Sequence, residues 1–176
     1  KCVTEIIAKG IIPAGMEIMD KALTKATNDF SKAGYPMDAE AMMIVELDGT
    51  ESEVSELIKR VEEIAKENKC SSVKRSKSDE ERLKFWTGRK AAFPACAELA
   101  PDYMCMDGSI PRGKLAEVLK EIQKLSVKYN LPVANAFHAG DGNLHPLIMF
   151  DANDPDQLRR TEEFGAEILK YCVKVG

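Results

Sequence analysis

No Cys-x-x-Cys pair occurs in this chain, and its cysteines, Cys2, Cys70, Cys96, Cys105 and Cys172, are scattered and odd in number. A disulfide framework and an iron–sulfur site are therefore not expected, and the thiols read as reduced, small hydrophobes. Positive charge is not in excess either: 25 Lys and Arg stand against 29 Asp and Glu, a net charge of −4. A nucleic-acid surface, which needs a basic stripe, is not expected. No apolar run approaches the roughly 18–20 residues of a membrane span and no signal peptide is visible, so a soluble, cytoplasmic protein is the default expectation. The pair Gly140-x-Gly142 lacks the third glycine of a dinucleotide fingerprint, no P-loop is present, and no Ser/His/Asp or Cys/His grouping falls in a recognisable order. Histidine is scarce as well: the chain has two.

What is present suffices for a core, since hydrophobic residues make up 44% of the chain. The chain begins at Lys1 inside a helical run, Cys2 to Ala8, and stops at Gly176 after another, which reads as a fragment of something longer. Gly10-Ile11-Ile12-Pro13-Ala14-Gly15 is a breaker cluster. Met16, Met19, Leu23, Ala26 and Phe30 then recur at helical spacing, so residues 1–36 are expected as an N-terminal helical segment. Ala41 to Leu47 reads as a strand, and Thr50-x-x-Glu53 is a capping box opening a helix with Val54, Leu57, Ile58, Val61 and Ile64 on one face. A short polar strand is expected around Ser72 to Arg75, and Ser78-x-x-Glu81 opens another helix. Asp102 to Asp107 passes for a strand, Pro111 suits the start of a helix, and Asp154-Pro155 starts the last one, with Leu158, Phe164, Ile168 and Leu169 inward. Strands alternating with helices, two of them joined by a tight turn, give an α+β ferredoxin-like sandwich. Its mostly antiparallel sheet of four or five strands carries helices packed on one face.

The two histidines flank an Asp-Gly turn in Phe137-His138-Ala139-Gly140-Asp141-Gly142-Asn143-Leu144-His145-Pro146. A two-residue turn at Asp141-Gly142 pairs 138 with 145 and sets both imidazoles, with Asn143, on one sheet face, opposite Phe137, Ala139 and Leu144. Two facing imidazoles suit a shared metal ion, although zinc usually takes roughly three or four protein ligands and no third one stands at a telling spacing. The plainer reading is two surface histidines on a solvated hairpin. Arg89, in Trp86-Thr87-Gly88-Arg89-Lys90, is either a solvated helix residue or a planar fork of donors for a carboxylate substrate.

Several stretches carry a family resemblance: Gly10 to Asp20, Ala33 to Ala41, Glu46-Leu47-Asp48-Gly49, Phe85 to Pro94, Pro101 to Arg112, and His138-Ala139-Gly140-Asp141-Gly142-Asn143-Leu144-His145-Pro146. Through them the chain resembles the C-terminal, substrate-side domain of the FAD-linked oxidases of the vanillyl-alcohol-oxidase type, in their glycolate and D-lactate branch. The resemblance implies that residues 37–176 are the cap domain of a two-domain flavoenzyme. Such an enzyme oxidises a small 2-hydroxy acid to the 2-oxo acid by hydride transfer to FAD. It also implies catalytic and metal-binding roles for His138 and His145, with a divalent ion such as Zn, Mn or Fe, and substrate-binding roles for Arg89 and Asn143.

In that comparison a third metal ligand, in a Glu-His-Gly motif, and the FAD-binding domain with its glycine-rich loop fall outside this chain. The segment alone is accordingly expected to be inactive and to hold no cofactor-binding residues of its own. Leu147 stands where some relatives carry a polar substrate contact, and Cys105 where they carry a lysine. Partners implied are the acid, the chain's own FAD-binding domain and further glycolate oxidase subunits, one of them iron–sulfur containing, loosely held at the inner membrane face. Read without the resemblance, a stand-alone metal- or ligand-binding module, or an interaction domain docking through its polar sheet face, stays open.

Overall fold

The computed structural model describes residues 1–176. Its helices are α1 (Cys2–Ala8), α2 (Lys21–Ser31), α3 (Glu51–Glu67), α4 (Asp79–Lys90), α5 (Ala92–Ala95), α6 (Leu115–Tyr129) and α7 (Pro155–Val175). Its strands are β1 (Gly15–Asp20), β2 (Ala41–Glu46), β3 (Asp102–Cys105), β4 (Gly108–Ser109), β5 (Val133–His138) and β6 (Asn143–Phe150). The six strands form one sheet in the order β2-β1-β5-β6-β3, with β4 also paired to β6, and every pair is antiparallel. In the run β3–α6–β5–β6–α7 the hairpin inserts β6 between β5 and β3, the split arrangement of a ferredoxin-like unit. The unit β1–α2–β2 widens that sheet on the β5 side. No helix is long and apolar enough to cross a membrane.

Local chemistry sets most element starts. Thr50 accepts from the Glu53 backbone N–H while the Glu53 carboxylate takes the Thr50 N–H, so the expected capping box opens α3. Asp154 accepts from the N–H groups of Asp156 and Gln157 with Pro155 in the first turn of α7. At Ser78 half of the expected box forms: its hydroxyl accepts from the Glu81 N–H, while the Glu81 carboxylate takes the Lys77 N–H instead. Thr50→Ala is expected to destabilise the chain by about 1 kcal/mol, the typical worth of a cap. The midpoint of urea unfolding checks it; an unmoved midpoint would show that α3 is held by packing alone.

Three expectations need correction. Residues 1–36 are not helical throughout, because Gly15–Asp20 is a strand of the sheet interior. Met16, Met19 and Leu23 fit a 3.6-residue period, yet the helix starts only where Asp20 caps it by accepting from the Leu23 N–H. Residues 72–75 form no strand; this stretch is polar, and Lys74 lies over the Phe85 ring at 5.1 Å instead. On α7, Phe164 and Ile168 are buried as expected, but Leu158 and Leu169 lie on the flank, each more than a third exposed.

The helices do not stay on one face. On the first face, Met16, Phe137, Ala139, Leu144, Ile148 and Phe150 pack with Val3 and Ile6 of α1, Ile64 of α3, Val118 and Ile122 of α6, and Phe164 and Ile168 of α7. On the second, Met19, Ala134, Ala136, Leu147 and Met149 pack with Leu23 of α2, Ala33, Tyr35, Ala92 of α5 and Cys96. Four successive buried residues in β5 (Ala134–Phe137) and five in β6 (Pro146–Phe150) are the mark of strands covered on both sides.

Candidate active site

The second sheet face changes character along its strands. Side chains alternate across a strand, so Glu17 and Met19 of β1, Ala134, Ala136 and His138 of β5, and His145, Leu147 and Met149 of β6 all point to that side. The apolar members lie under α2 and α5. The polar members, Glu17, His138 and His145, gather at the other end.

The hairpin that carries the histidines is wider than its Asp-Gly pair suggests. His138 pairs with Asn143 and Ala136 with His145, so Ala139–Gly142 is a four-residue loop and the register is shifted by two from the expected one. A two-residue type I′ turn needs positive φ at both central residues, and here Gly142 has it at +76° while Asp141 does not. The N–H groups of Asp141 and Gly142 both donate to the His138 carbonyl at 3.1 Å. A shift of two preserves side-chain parity, so the expected grouping of His138, His145 and Asn143 on one face holds. The imidazoles sit diagonally, ring centroids 5.3 Å apart and edge to face. The Asn143 side-chain oxygen is buried without a hydrogen-bond partner.

Glu17, which sequence reasoning missed, organises this end. It stands directly opposite His138 in the β1–β5 register and is 8% exposed. Its Oε1 lies 2.7 Å from His138 Nδ1, and its Oε2 accepts from the Arg89 guanidinium at 3.0 Å. Arg89 is therefore not a solvated helix residue: it is 7% exposed, and its Nε is buried without a partner. The line Arg89–Glu17–His138–His145 crosses β1, β5 and β6 from the end of α4. Asp107 follows at 4.0 Å from His145 Nδ1, beyond hydrogen-bond reach, and Phe93 of α5 packs against the His145 ring at 6.4 Å.

Arg89 is placed by what holds α4. The Tyr35 hydroxyl donates to the Phe85 carbonyl, and burial pushes that phenol up to about 12. A Cβ at Gly88 would run into the Tyr35 ring and hydroxyl, so the helix approaches this closely only because residue 88 is glycine. On the other side Glu46 of β2 accepts from Trp86 and, at 2.9 Å, from Arg82. Arg89 then falls in the last turn, where the helix dipole favours a cation.

For a metal ion the chain offers two imidazoles, one with its Nδ1 tied to a carboxylate as metal-ligating histidines usually are. No three of its His, Cys, Asp and Glu side chains converge on one point, so this chain supplies at most two ligands, His138 and His145, and a divalent site would need the rest from elsewhere. Gly140 and Gly142 lie in a loop that leads into a strand, unlike the glycine turn that opens a helix under a pyrophosphate. His138, its side chain 45% exposed, leaves the polar end of the face open to a group presented from outside the chain.

Comparison with known proteins agrees with the family resemblance. A family model described as FAD linked oxidases, C-terminal domain, matches residues 1–176. Glycolate oxidase subunit GlcD of Escherichia coli strain K12 is 53% identical over 174 residues, covering 99% of this chain and 35% of that protein. GlcD of Bacillus subtilis strain 168 is 33% identical over 99% of this chain and 37% of its own length. A probable mitochondrial D-lactate dehydrogenase of Danio rerio is 28% identical over 96% of this chain and 34% of its own. Among solved structures, p-cresol methylhydroxylase with substrate bound shares the fold, with a TM-score of 0.68 at 13% identity over 96% of this chain and 39% of that one. The chain spans a little over a third of the length of the two GlcD relatives. It belongs to the FAD linked oxidases, as their C-terminal domain.

Proposed function

We propose that this domain forms the substrate-side wall of a flavin-dependent oxidoreductase that converts glycolate or D-lactate to the 2-oxo acid. The observation that supports it most is the line Arg89–Glu17–His138–His145 at the open end of an otherwise apolar, helix-covered face. Similarity to a glycolate oxidase subunit and to a D-lactate dehydrogenase supports this substrate class. FAD, held mainly by residues outside this chain, would supply the hydride acceptor for the acid's α-carbon.

This chain's residues bind and orient. Arg89 spends one guanidinium nitrogen on Glu17 and keeps donors for the acid's carboxylate. His138 and His145 present imidazole nitrogens that take and hold the hydroxyl proton. Phe93, packed on His145, keeps water from that ring. Asn143, beside His138 in the ladder, supplies an amide to the substrate's oxygens. With a divalent ion such as Zn, Mn or Fe bound, His138 and His145 would hold it in place of taking that proton, and its Lewis acidity would lower the hydroxyl pKa. The relatives are themselves named as subunits, which supports an assembly with further subunits; the proposal extends to an iron–sulfur subunit that takes the electrons onward, attached peripherally at the inner membrane face.

Anaerobic addition of glycolate or D-lactate to the full-length protein is expected to bleach its flavin absorbance. If neither acid does so, the oxidoreductase reading fails and a metal- or ligand-binding module remains. Arg89→Lys keeps the charge opposite Glu17 but loses the planar fork. It is expected to raise KM for the acid about tenfold with kcat held within about threefold. Steady-state kinetics read both constants, and an unmoved KM would remove Arg89 from carboxylate binding.

A further inference from the structure

We propose that Glu17 is the positioning residue of this site, fixing the proton of His138 on Nδ1 and thereby keeping Nε2 free as a lone pair. The inference rests on the reading above that His138 acts on the substrate's hydroxyl.

Glu17 divides its two oxygens between two partners. Oε2 is held by Arg89 at 3.0 Å and Oε1 faces His138 Nδ1 at 2.7 Å. A carboxylate paired with a guanidinium can only accept hydrogen bonds, so Nδ1 must donate. In the neutral ring that leaves Nε2 unprotonated, the state a proton acceptor or a metal ligand requires. Both ends of the carboxylate are anchored: Glu17 lies on β1 directly opposite His138, and Arg89 is held by α4. The side chains of Glu17 and Arg89 are 10% and 9% exposed, so solvent offers little competition for these bonds.

A purely structural role, compensating the buried Arg89, makes a different forecast. In Glu17→Gln the amide oxygen still accepts from Arg89, and the amide nitrogen then faces Nδ1 as a donor. His138 must accept there and move its proton to Nε2. Histidine 15N spectra of the chelator-treated full-length protein, assigned with His138→Gln, read the tautomer directly. The expected result is Nδ1–H in the wild type and Nε2–H in Glu17→Gln. With flavin still bound, kcat for the acid is expected to fall about a hundredfold while KM stays within about threefold.

Nε2–H in the wild type overturns the proposal and needs no Glu17 variant to fold. So does a Glu17→Gln enzyme with wild-type kcat beside an inactive His138→Ala. Wild-type turnover in His138→Ala would instead overturn the catalytic reading beneath it, and the tautomer spectra would still decide whether Glu17 sets the ring.

Discussion

Replacing His145 by alanine in the full-length protein is expected to lower turnover of glycolate or D-lactate about a thousandfold, within the range for losing a positioned proton-transfer group. The side chain is 15% exposed and faces His138 across 5.3 Å, so its loss removes one of the two imidazoles proposed to meet the hydroxyl. Bound flavin is expected to be unchanged, because the proposal places FAD mainly on residues outside this chain. Stability is expected to change little, since the ring meets Phe93 and His138 at the rim of the covered face, beyond its fully buried residues. Steady-state rates with the flavin absorbance of the purified variant test both halves. Wild-type turnover would remove His145 from the mechanism, and lost flavin with lost turnover would make it structural.

Gly142→Ala is expected to cost about 2–4 kcal/mol, because two penalties fall on one residue. Its φ of +76° is a left-handed conformation that a side chain disfavours. A Cβ there would also press on the Ile110 carbonyl oxygen, and backbone yields less readily than a flexible side chain. The same loop takes a hydrogen bond from the Ile110 N–H to the Gly142 carbonyl at 3.0 Å, so relief of the clash must break that bond or shift the hairpin. Since His138 and His145 sit on its two arms, activity is expected to fall together with the urea midpoint. Gly113→Ala is the control: a Cβ at Gly113 meets nothing within 4 Å and its φ is not left-handed. Equal stability of the two variants would sink the account of this turn.

The parts legible in the sequence were those set by local chemistry. The caps at Thr50 and Asp154, the arms of the hairpin and the parity that groups His138, Asn143 and His145 depend on neighbours a few residues apart. What was not legible depends on pairing between distant strands. Glu17 becomes meaningful only when β1 lies beside β5, 121 residues further on. Its one sequence signal was a lone carboxylate inside an apolar stretch, Gly15–Met19, whose methionines also fit a helix. The hairpin register was off by two because an Asp-Gly pair favours a two-residue turn, whereas Asp141 avoids positive φ and the loop takes four residues. Burial of Arg89 was hidden for a different reason: it follows from Tyr35 fitting against Gly88, a tertiary contact with no periodic trace.

The most direct test is a crystal structure of the full-length protein with FAD and a bound glycolate or D-lactate analogue. The acid is expected on the second sheet face, its hydroxyl within hydrogen-bond or shared-metal reach of His138 and His145 and its carboxylate on Arg89. An acid bound elsewhere, with these residues contacting only one another, would contradict it.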